Sequence, residues 1–506
     1  MIHVPETTRP TDRVPVRRVV IAGGGTAGWM AAAALSRTLG KVLDITLVES
    51  DEIGTIGVGE ATIPTLVTFH RLLDINEQEF MAATHATIKL GISFENWRDV
   101  GQDYIHSFGV TGKDHWAAGF QHFWLKGRER GLAREYGDYC MELRAAQERR
   151  FAHLPNGGIN YAFHLDSGLY ARFLQNFSEG FGTKRVEGRI NQVRLADNGD
   201  IAALVLEDGT QIEGDLFIDC TGFRALLLGQ TLGVEFEDWS HWLLADTALA
   251  VQTESMHDAV PYVRCIAGDA GWQWRIPLQH RVGNGIVFAS RYMDEQAARR
   301  ALLGSIEGQQ RSEPRLIRFR PGQRTKVWER NCVALGLASG FLEPLESTNI
   351  HLIQRGITRL LQSFPHVINQ VDIDEYNQQV ASEITHIRDF VILHYHVTNR
   401  RDTPFWRDCA AMDIPTSLRH RIELFAETGR VFRIPNELFA ENSWIQVMLG
   451  QGITPHQRHP APDLMGDDEL SHFLEGIRRH VDNTVARLPV HMDYIRSYCA
   501  MKKTAA

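Results

Sequence analysis

The alternation of apolar and polar positions near the start of the chain predicts one strand–helix–strand unit. Residues Arg18–Ala22 are almost uniformly apolar, which is typical of a parallel strand buried on both faces. The alanine-rich stretch Thr26–Leu39 predicts a helix, and residues 45–49 predict a second short strand. This order is the first unit of a βαβ fold, so the sequence favours the α/β class.

Further apolar runs predict elements along the rest of the chain. A hairpin is predicted across Asn198-Gly199-Asp200, and buried strands are predicted at residues 215–219 and 333–336. Apolar residues at helical spacing from Leu470 to Leu488 predict a helix that stops before the following proline.

The distribution of these elements predicts two regions of different character. We expect an α/β module over residues 1–371, discontinuous because its segments are separated by more than a hundred residues, with further segments inserted near 101–160. From about Asp372 onward we expect a mostly helical lobe, covering residues 372–506.

Composition and charge exclude several classes of protein. Of the 506 residues 43% are hydrophobic and 23% charged, as in ordinary soluble proteins, and the net charge of -9 argues against a nucleic-acid partner. Residues 1–17 lack the apolar core of a signal peptide, and the apolar stretch 29–35 is too short to span a bilayer. We therefore expect a cytoplasmic protein without a membrane partner. We also expect six reduced, buried cysteines: Cys140, Cys220, Cys265, Cys332, Cys409 and Cys499.

A glycine motif follows the first predicted strand and opens the first predicted helix. Gly23 permits a tight turn, Gly25 lets the backbone approach a pyrophosphate, and Gly28 lets helix and strand pack closely. The helix start at Thr26 and Ala27 supplies N–H donors for phosphate oxygens. Glu49 closes the second strand 21 residues after Gly28, which suits an acceptor for ribose hydroxyls. A dinucleotide site is favoured over a chance glycine turn.

Two distant segments indicate FAD rather than NAD. Residues 217–224 form a predicted buried strand that ends in a glycine turn, and residues 333–340 form another that breaks at small residues before a helix. This distribution resembles flavoprotein monooxygenases of the hydroxybenzoate-hydroxylase type, in which such a segment runs beneath the flavin. The resemblance places Gly336 and Leu337 at the cofactor. The alternative is that both segments are ordinary core strands that do not contact a cofactor.

Three further stretches are more specific. Residues 271–277 read Gly-Trp-Gln-Trp-Arg-Ile-Pro, with Trp272 and Trp274 on one face of a strand. Lys89 stands alone in the otherwise apolar stretch 84–97, and residues 341–348 read Phe-Leu-Glu-Pro-Leu-Glu-Ser-Thr. Together with residues 57–64 and 402–406, they make the chain resemble, over essentially its whole length, the flavin-dependent halogenases of the tryptophan-halogenase family. Taken singly, the tryptophans could be core residues and Lys89 a surface lysine.

The resemblance implies a particular chemistry. A separate flavin reductase would supply FADH2, which with O2 and a halide ion, bromide or chloride, yields hypohalous acid. The acid would pass along a tunnel lined by Trp272, Trp274 and Ser347 to a small aromatic substrate. Lys89 matches the family's catalytic lysine, acting either as an ammonium bonded to the acid or as an amine that forms a haloamine. Glu346 matches its acidic partner, with Glu343 as neighbour. A homodimer is compatible with the resemblance.

The matched halide and substrate positions depart from the family pattern. The halide is expected at Thr348 and Asn349, where the family usually has glycine at the second position, and we expect this change to favour bromide. His106, Phe108 and Phe439 match positions that contact the substrate ring. Residues 431–444 lack the tyrosines that grip an amino acid in tryptophan halogenases, so an indole-type substrate is expected.

Several alternatives stay open from the sequence. An aromatic hydroxylase would use the same cofactor without needing Lys89, and a non-catalytic flavoprotein would need neither residue of the Lys89–Glu346 pair. A phenol or pyrrole bound to a carrier protein is a further substrate class. No metal is expected, because His394 and His396 diverge on a helix and lack further ligands at suitable spacing.

Overall fold

The computed structural model describes residues 15–53, 60–115, 117–155 and 158–500. Most of the polar N-terminal segment lies outside the described residues, and so do Gly57, Val58 and Gly59 of the motif at residues 57–64.

The described residues form a mixed α/β structure. Its strands are β1 Arg18–Ala22, β2 Asp44–Glu49, β3 Glu60–Ala61, β4 Thr87–Lys89, β5 Gly91–Glu95, β6 Asp103–Ser107, β7 Ala162–Leu165, β8 Lys184–Glu187, β9 Ile190–Leu195, β10 Ile201–Leu206, β11 Gln211–Glu213, β12 Leu216–Asp219, β13 Phe236–Asp238, β14 Thr247–Thr253, β15 Tyr262–Ala267, β16 Gly271–Pro277, β17 Val282–Phe288, β18 Arg315–Arg318, β19 Gly322–Arg324, β20 Trp328–Glu329, β21 Cys332–Ala334 and β22 Gly340–Phe341. Its helices are α1 Thr26–Leu39, α2 Thr65–Leu72, α3 Glu77–Thr84, α4 Phe120–Glu129, α5 Met141–Gln147, α6 Ser167–Gly180, α7 Glu295–Ser305, α8 Asn349–Gln362, α9 Gln370–His396, α10 Pro404–Ala411, α11 Thr416–Thr428, α12 Glu441–Gly450, α13 Asp467–Val485 and α14 His491–Ala500.

A six-stranded sheet in the order β20-β21-β12-β1-β2-β8 carries the predicted βαβ unit. β1 pairs in parallel with β2 and with β12, and β12 pairs in parallel with β21. The predictions of a strand at Arg18–Ala22, a helix at Thr26–Leu39 and a second strand ending at Glu49 are confirmed. The parallel sheet of a mixed α/β fold is therefore confirmed. Its central strands β1 and β12 are buried on both faces, as is typical of parallel strands.

The later strand predictions are confirmed with one correction. The hairpin across residues 198–200 joins β9 and β10, and the strand predicted at 215–219 is β12. The strand predicted at 333–336 extends too far, because β21 ends at Ala334. Gly336 has φ +63°, a left-handed conformation that turns the chain out of the sheet.

A seven-stranded sheet in the order β18-β14-β17-β16-β15-β5-β6 packs on the helices of the C-terminal part. The three-stranded sheet β3-β7-β4 lies beside it, and only Leu90 separates β4 from β5. The side chain of Lys89 at the end of β4 is thereby placed inside the molecule.

The C-terminal part is helical, as predicted, since the described residues after 370 form helices α9 to α14 and no named strand. The helix predicted to stop before Pro489 is α13. Phe390 of α9 packs in the same core as Trp272, whereas Val481 of α13 packs in the core beneath β1. The division into two domains at residue 371 stays a prediction.

The six cysteines are free, as predicted. Cys220 and Cys499 are half-buried, so the expectation that all six are buried is wrong for these two. Cys220 follows β12 at the edge of a cavity, and Cys499 lies in the last described helix. Among the described residues, no helix combines the length and apolar character needed to cross a membrane.

Candidate functional site

A cavity of about 500 Å³ opens at the carboxyl ends of β1, β12 and β21. Open α/β sheets bind ligands at such an edge. All but one of the residues predicted to hold the cofactor line this cavity: Gly23, Gly25, Thr26, Ala27, Glu49, Gly336 and Leu337. The exception, Gly28, lies behind the turn, where an added Cβ would come within 1.9 Å of the Gly23 carbonyl oxygen. Its predicted part in close packing is confirmed.

The glycine turn fits a dinucleotide. Gly23 has φ +108°, and a Cβ there would lie 2.4 Å from the Cys220 carbonyl oxygen. A Cβ on Gly25 would meet no described atom within 4 Å, so the backbone at the start of α1 is open to the cavity. The first N–H groups of a helix have no partner within the helix and favour an anion.

Acidic and basic side chains surround the rest of the cavity. Arg185 donates to Glu49 Oε1 at 2.6 Å, which holds the carboxylate at the end of β2. Burial raises the pKa of Glu60, which also lines the cavity, to about 7. The buried guanidinium of Arg359 lines the same space and pairs with Glu383. Sequence reasoning missed Glu60, Arg185 and Arg359. Arg185 and Arg359 belong to segments without a motif, and Glu60 was assigned no role within the motif at residues 57–64.

Lys89 is fully buried, with 0% of its surface exposed. Its ammonium donates to the Thr62 carbonyl oxygen at 3.0 Å and to Ser347 Oγ at 2.8 Å, and it lies 5.2 Å from the centre of the Phe108 ring. Burial lowers the pKa of Lys89 to about 7, although the charge of Glu346 opposes this shift. The alternative of a surface lysine is therefore wrong.

Glu346 is a buried carboxylate held by two imidazoles. His106 Nδ1 lies 3.0 Å from Oε2, and His394 Nε2 lies 2.7 Å from Oε1. Burial alone would raise the pKa of Glu346, but the charge and hydrogen bonds of the two histidines outweigh it and lower the pKa to about 2. A carboxylate that is ionised at neutral pH therefore acts electrostatically on Lys89.

His394 extends this network towards Tyr104, whose hydroxyl lies 3.0 Å from His394 Nδ1. The sequence drew attention to His394 only to reject it as a metal ligand. Among the described residues no group of three side chains can hold a metal ion, and His396 does not share the environment of His394. The feature of the sequence that could have indicated a buried histidine here is its position on α9, one helical turn after the buried Phe390.

Trp272 and Trp274 lie on β16, as predicted, and both are buried. The Trp272 indole donates to Glu343 Oε2 at 2.7 Å, and the Tyr395 hydroxyl donates to the same oxygen. Burial raises the pKa of Glu343 to about 7. Glu343 is thus tied to aromatic side chains, whereas Glu346 interacts with Lys89.

The segment after Glu346 turns sharply into α8. Ser347 adopts a left-handed conformation with φ 59°, and Thr348 precedes the first helical residue, Asn349. Thr348 is fully buried, and its hydroxyl has no hydrogen-bond partner among the described residues. A buried free hydroxyl beside the N–H groups of a helix start suits a small anion. Asn349 also lines the cofactor cavity.

Aromatic rings pack beside His106, one of the two histidines that hold Glu346. Phe439 stacks on Phe390 with ring centres 3.9 Å apart, and His106 lies 6.2 Å from Phe439. Trp444 packs edge-on against Phe390. The structure thus brings His106 and Phe439 together and adds Phe390, which the sequence did not single out; contact of these residues with a substrate ring stays a prediction.

Comparisons with known proteins agree with this arrangement. Residues 18–467 match the family model described as tryptophan halogenase. Tryptophan 6-halogenase SttH of Streptomyces toxytricini is 35% identical over 94% of this chain and 97% of its own length. Among solved structures, Xcc4156, a flavin-dependent halogenase from Xanthomonas campestris, has a TM-score of 0.95 at 72% identity, covering 96% of this chain and 99% of its own. BrvH, a flavin-dependent halogenase from Brevundimonas sp. BAL3, has a TM-score of 0.91 at 44% identity, covering 96% and 99%.

Proposed function

The chain belongs to the flavin-dependent halogenases of the tryptophan-halogenase family, and from this premise we propose that it installs bromide or chloride on an electron-rich aromatic ring such as indole. A separate reductase would supply FADH2. The observation that carries the proposal is the buried Lys89, bonded to Ser347 and within the field of the Glu346 carboxylate. A flavoprotein hydroxylase has no need of a lysine in the field of a carboxylate, as Lys89 is in that of Glu346 here.

FAD fits the cavity at the glycine turn. The proposal includes a cofactor module of the hydroxybenzoate-hydroxylase type over residues 1–371 and a helical substrate lobe over residues 372–506. Gly25, Thr26 and Ala27 would hold the pyrophosphate, and Gly336 and Leu337 would lie under the ring. O2, given two electrons by the reduced FAD that this cavity would hold, would oxidise the halide to hypohalous acid, and its second oxygen atom would leave as water.

Halide binding, passage of the hypohalous acid and halogenation of the ring would depend on side chains of the protein. Thr348 and Asn349 would bind the halide, and Trp272, Trp274 and Ser347 would line its path. Lys89 would hold the hypohalous acid beside the substrate ring and withdraw electron density from the halogen. Glu346 would stabilise the positive charge that develops on the ring and direct the loss of the ring proton.

The contacts of residues 431–444 support a substrate without an amino-acid group. Arg421 and Trp444 donate to Glu437, Glu441 accepts from the Arg433 amide, and Asn442 bonds to the backbone of Gly109. These polar side chains already form hydrogen bonds with other groups of the protein. They are therefore not available to bind a carboxylate or an ammonium group of tryptophan.

We expect kcat/KM for indole to exceed that for tryptophan by about tenfold or more, because a charged group left without its hydrogen bonds costs about 1.5–3 kcal/mol. The measurement is halogenated product by mass spectrometry, with a flavin reductase present, for indole, tryptophan and a phenol. Hydroxylated product in place of halogenated product would contradict the proposed reaction. Saturation by tryptophan at low concentration would contradict the substrate class alone.

The side chain of Asn349 is expected to favour bromide over chloride. Bromide is the more weakly hydrated ion and costs less to desolvate in a site narrowed by a side chain. Asn349→Gly is expected to raise chloride turnover relative to bromide by about tenfold, equivalent to about 1.4 kcal/mol. Competition assays with both halides and indole measure the ratio. Equal use of the two halides by the unmodified enzyme would refute the expectation.

A further inference from the structure

A second groove of about 290 Å³ opens beside the cofactor cavity. The groove and the cavity share Phe223, Leu337 and Gly340 in their linings. These residues follow the carboxyl ends of β12 and β21, whereas Glu49 ends β2, on the other side of β1 in the sheet. The groove therefore adjoins the β12–β21 side of the cavity.

Phenylalanines and arginines build this groove. Phe223 and Phe319 both meet Phe341 edge-on, with ring centres 5.3 and 4.8 Å apart. The other lining side chains are Phe236, Arg318, Arg320 and Arg324.

The guanidinium groups give the groove positive charge over an aromatic floor. Arg320 lies 4.3 Å and Arg324 5.5 Å from the centre of the Phe236 ring. Arg324 is held by the Val234 carbonyl oxygen at 2.8 Å, and Asp238 reaches Arg320 at 3.6 Å on the rim. Among the described residues, the lining itself includes no acidic side chain.

We propose that this groove binds a planar aromatic anion. Aromatic walls accept a flat ring by stacking or edge contacts, and guanidinium groups select negative charge. The nearest source, given the proposed function, is the reduced flavin ring, which becomes anionic near neutral pH while the oxidised ring stays neutral. The groove would then favour the reduced cofactor that a two-component enzyme must capture. A free anionic nucleotide is the other source of the same chemistry.

The test is anaerobic titration of the full-length protein with oxidised FAD and with dithionite-reduced FAD, followed by fluorescence. The double variant Arg318→Ala/Arg320→Ala is expected to bind reduced FAD about tenfold more weakly and oxidised FAD within about twofold. The variant Arg318→Lys/Arg320→Lys should keep most of the preference. Arg299→Ala, on α7 and paired with Glu313, is the matched control.

A third titration separates the two sources. NADH that binds the FAD-loaded wild type, but not the double alanine variant, would assign the groove to a free nucleotide. Unchanged affinities in the double variant, or equal weakening of oxidised and reduced FAD, would overturn the proposal. Halogenation by the same wild-type sample is measured in parallel, so that loss of the proposed function is recognised separately from loss of the groove's selectivity.

Discussion

Replacing Lys89 with methionine is expected to lower kcat for halogenation by about 100- to 10,000-fold, the range for loss of a positioned proton-transfer or electrophilic group. Methionine keeps the volume of the buried chain but removes the donor that meets Ser347. Binding of FAD should not change, because Lys89 does not line the cofactor cavity. Product analysis by mass spectrometry and FAD titration measure the two effects.

Lys126 offers a matched control for this substitution. It is also a buried lysine, bonded to the carbonyl oxygens of Pro462 and Met465 at 3.0 and 2.6 Å. Lys126→Met removes a buried ammonium without touching the site, so any loss of activity reports general destabilisation. Similar activities of the two variants would contradict a catalytic part for Lys89.

The pH dependence of turnover distinguishes the two forms of Lys89. Because burial lowers the pKa of Lys89 to about 7, the ammonium is present below pH 7 and is lost as the pH rises through that value. We expect the ammonium to be the active form, since two of its three donors are bonded and one stays free for the hypohalous acid. Activity should therefore fall on the alkaline side. A fall in activity as the pH drops through about 7, well above the pKa of Glu346, would favour the haloamine.

The cofactor module could be predicted from sequence because its signals are local. The glycine turn, β1 and α1 lie within adjacent residues, and their patterns depend only on burial and helix geometry. The strand predicted at 333–336 is too long because the sequence does not show that Gly336 adopts a left-handed conformation. In a run of small residues it reads like any other glycine.

The contacts of the candidate site are not local, and the sequence contains no pattern for them. Lys89 meets a residue 258 positions away, and Tyr104 meets His394 across 290 positions. The residue types were found by resemblance, whereas the pairing of Glu346 with His394 depends on how α9 packs against β6. The arginine-lined groove is likewise assembled from β13, β18, β19 and β22 and from segments between strands.

Glu346→Gln is expected to lower kcat by about 100- to 1,000-fold with little change in KM, because it removes a charge that acts on the developing ring cation and not on the neutral substrate. The amide keeps the shape of the carboxylate. Steady-state kinetics with indole measure the split between kcat and KM. A rise in KM with kcat unchanged would indicate instead that Glu346 binds the substrate in its ground state.

Substitution of a histidine that lowers the pKa of Glu346 gives a second test of whether the charge of this carboxylate is needed for activity. Burial alone raises a carboxyl pKa, so removing the His394 donor should let the pKa of Glu346 rise from about 2. Activity that needs the carboxylate is present above its pKa and lost below, so His394→Leu should move the acid limb of the pH profile upward. His394→Gln, which retains an N–H donor, should restore the limb towards that of the wild type, and His396→Gln on the same helix should leave it in place. An acid limb that stays unchanged in His394→Leu would mean that the imidazole does not hold the charge of Glu346.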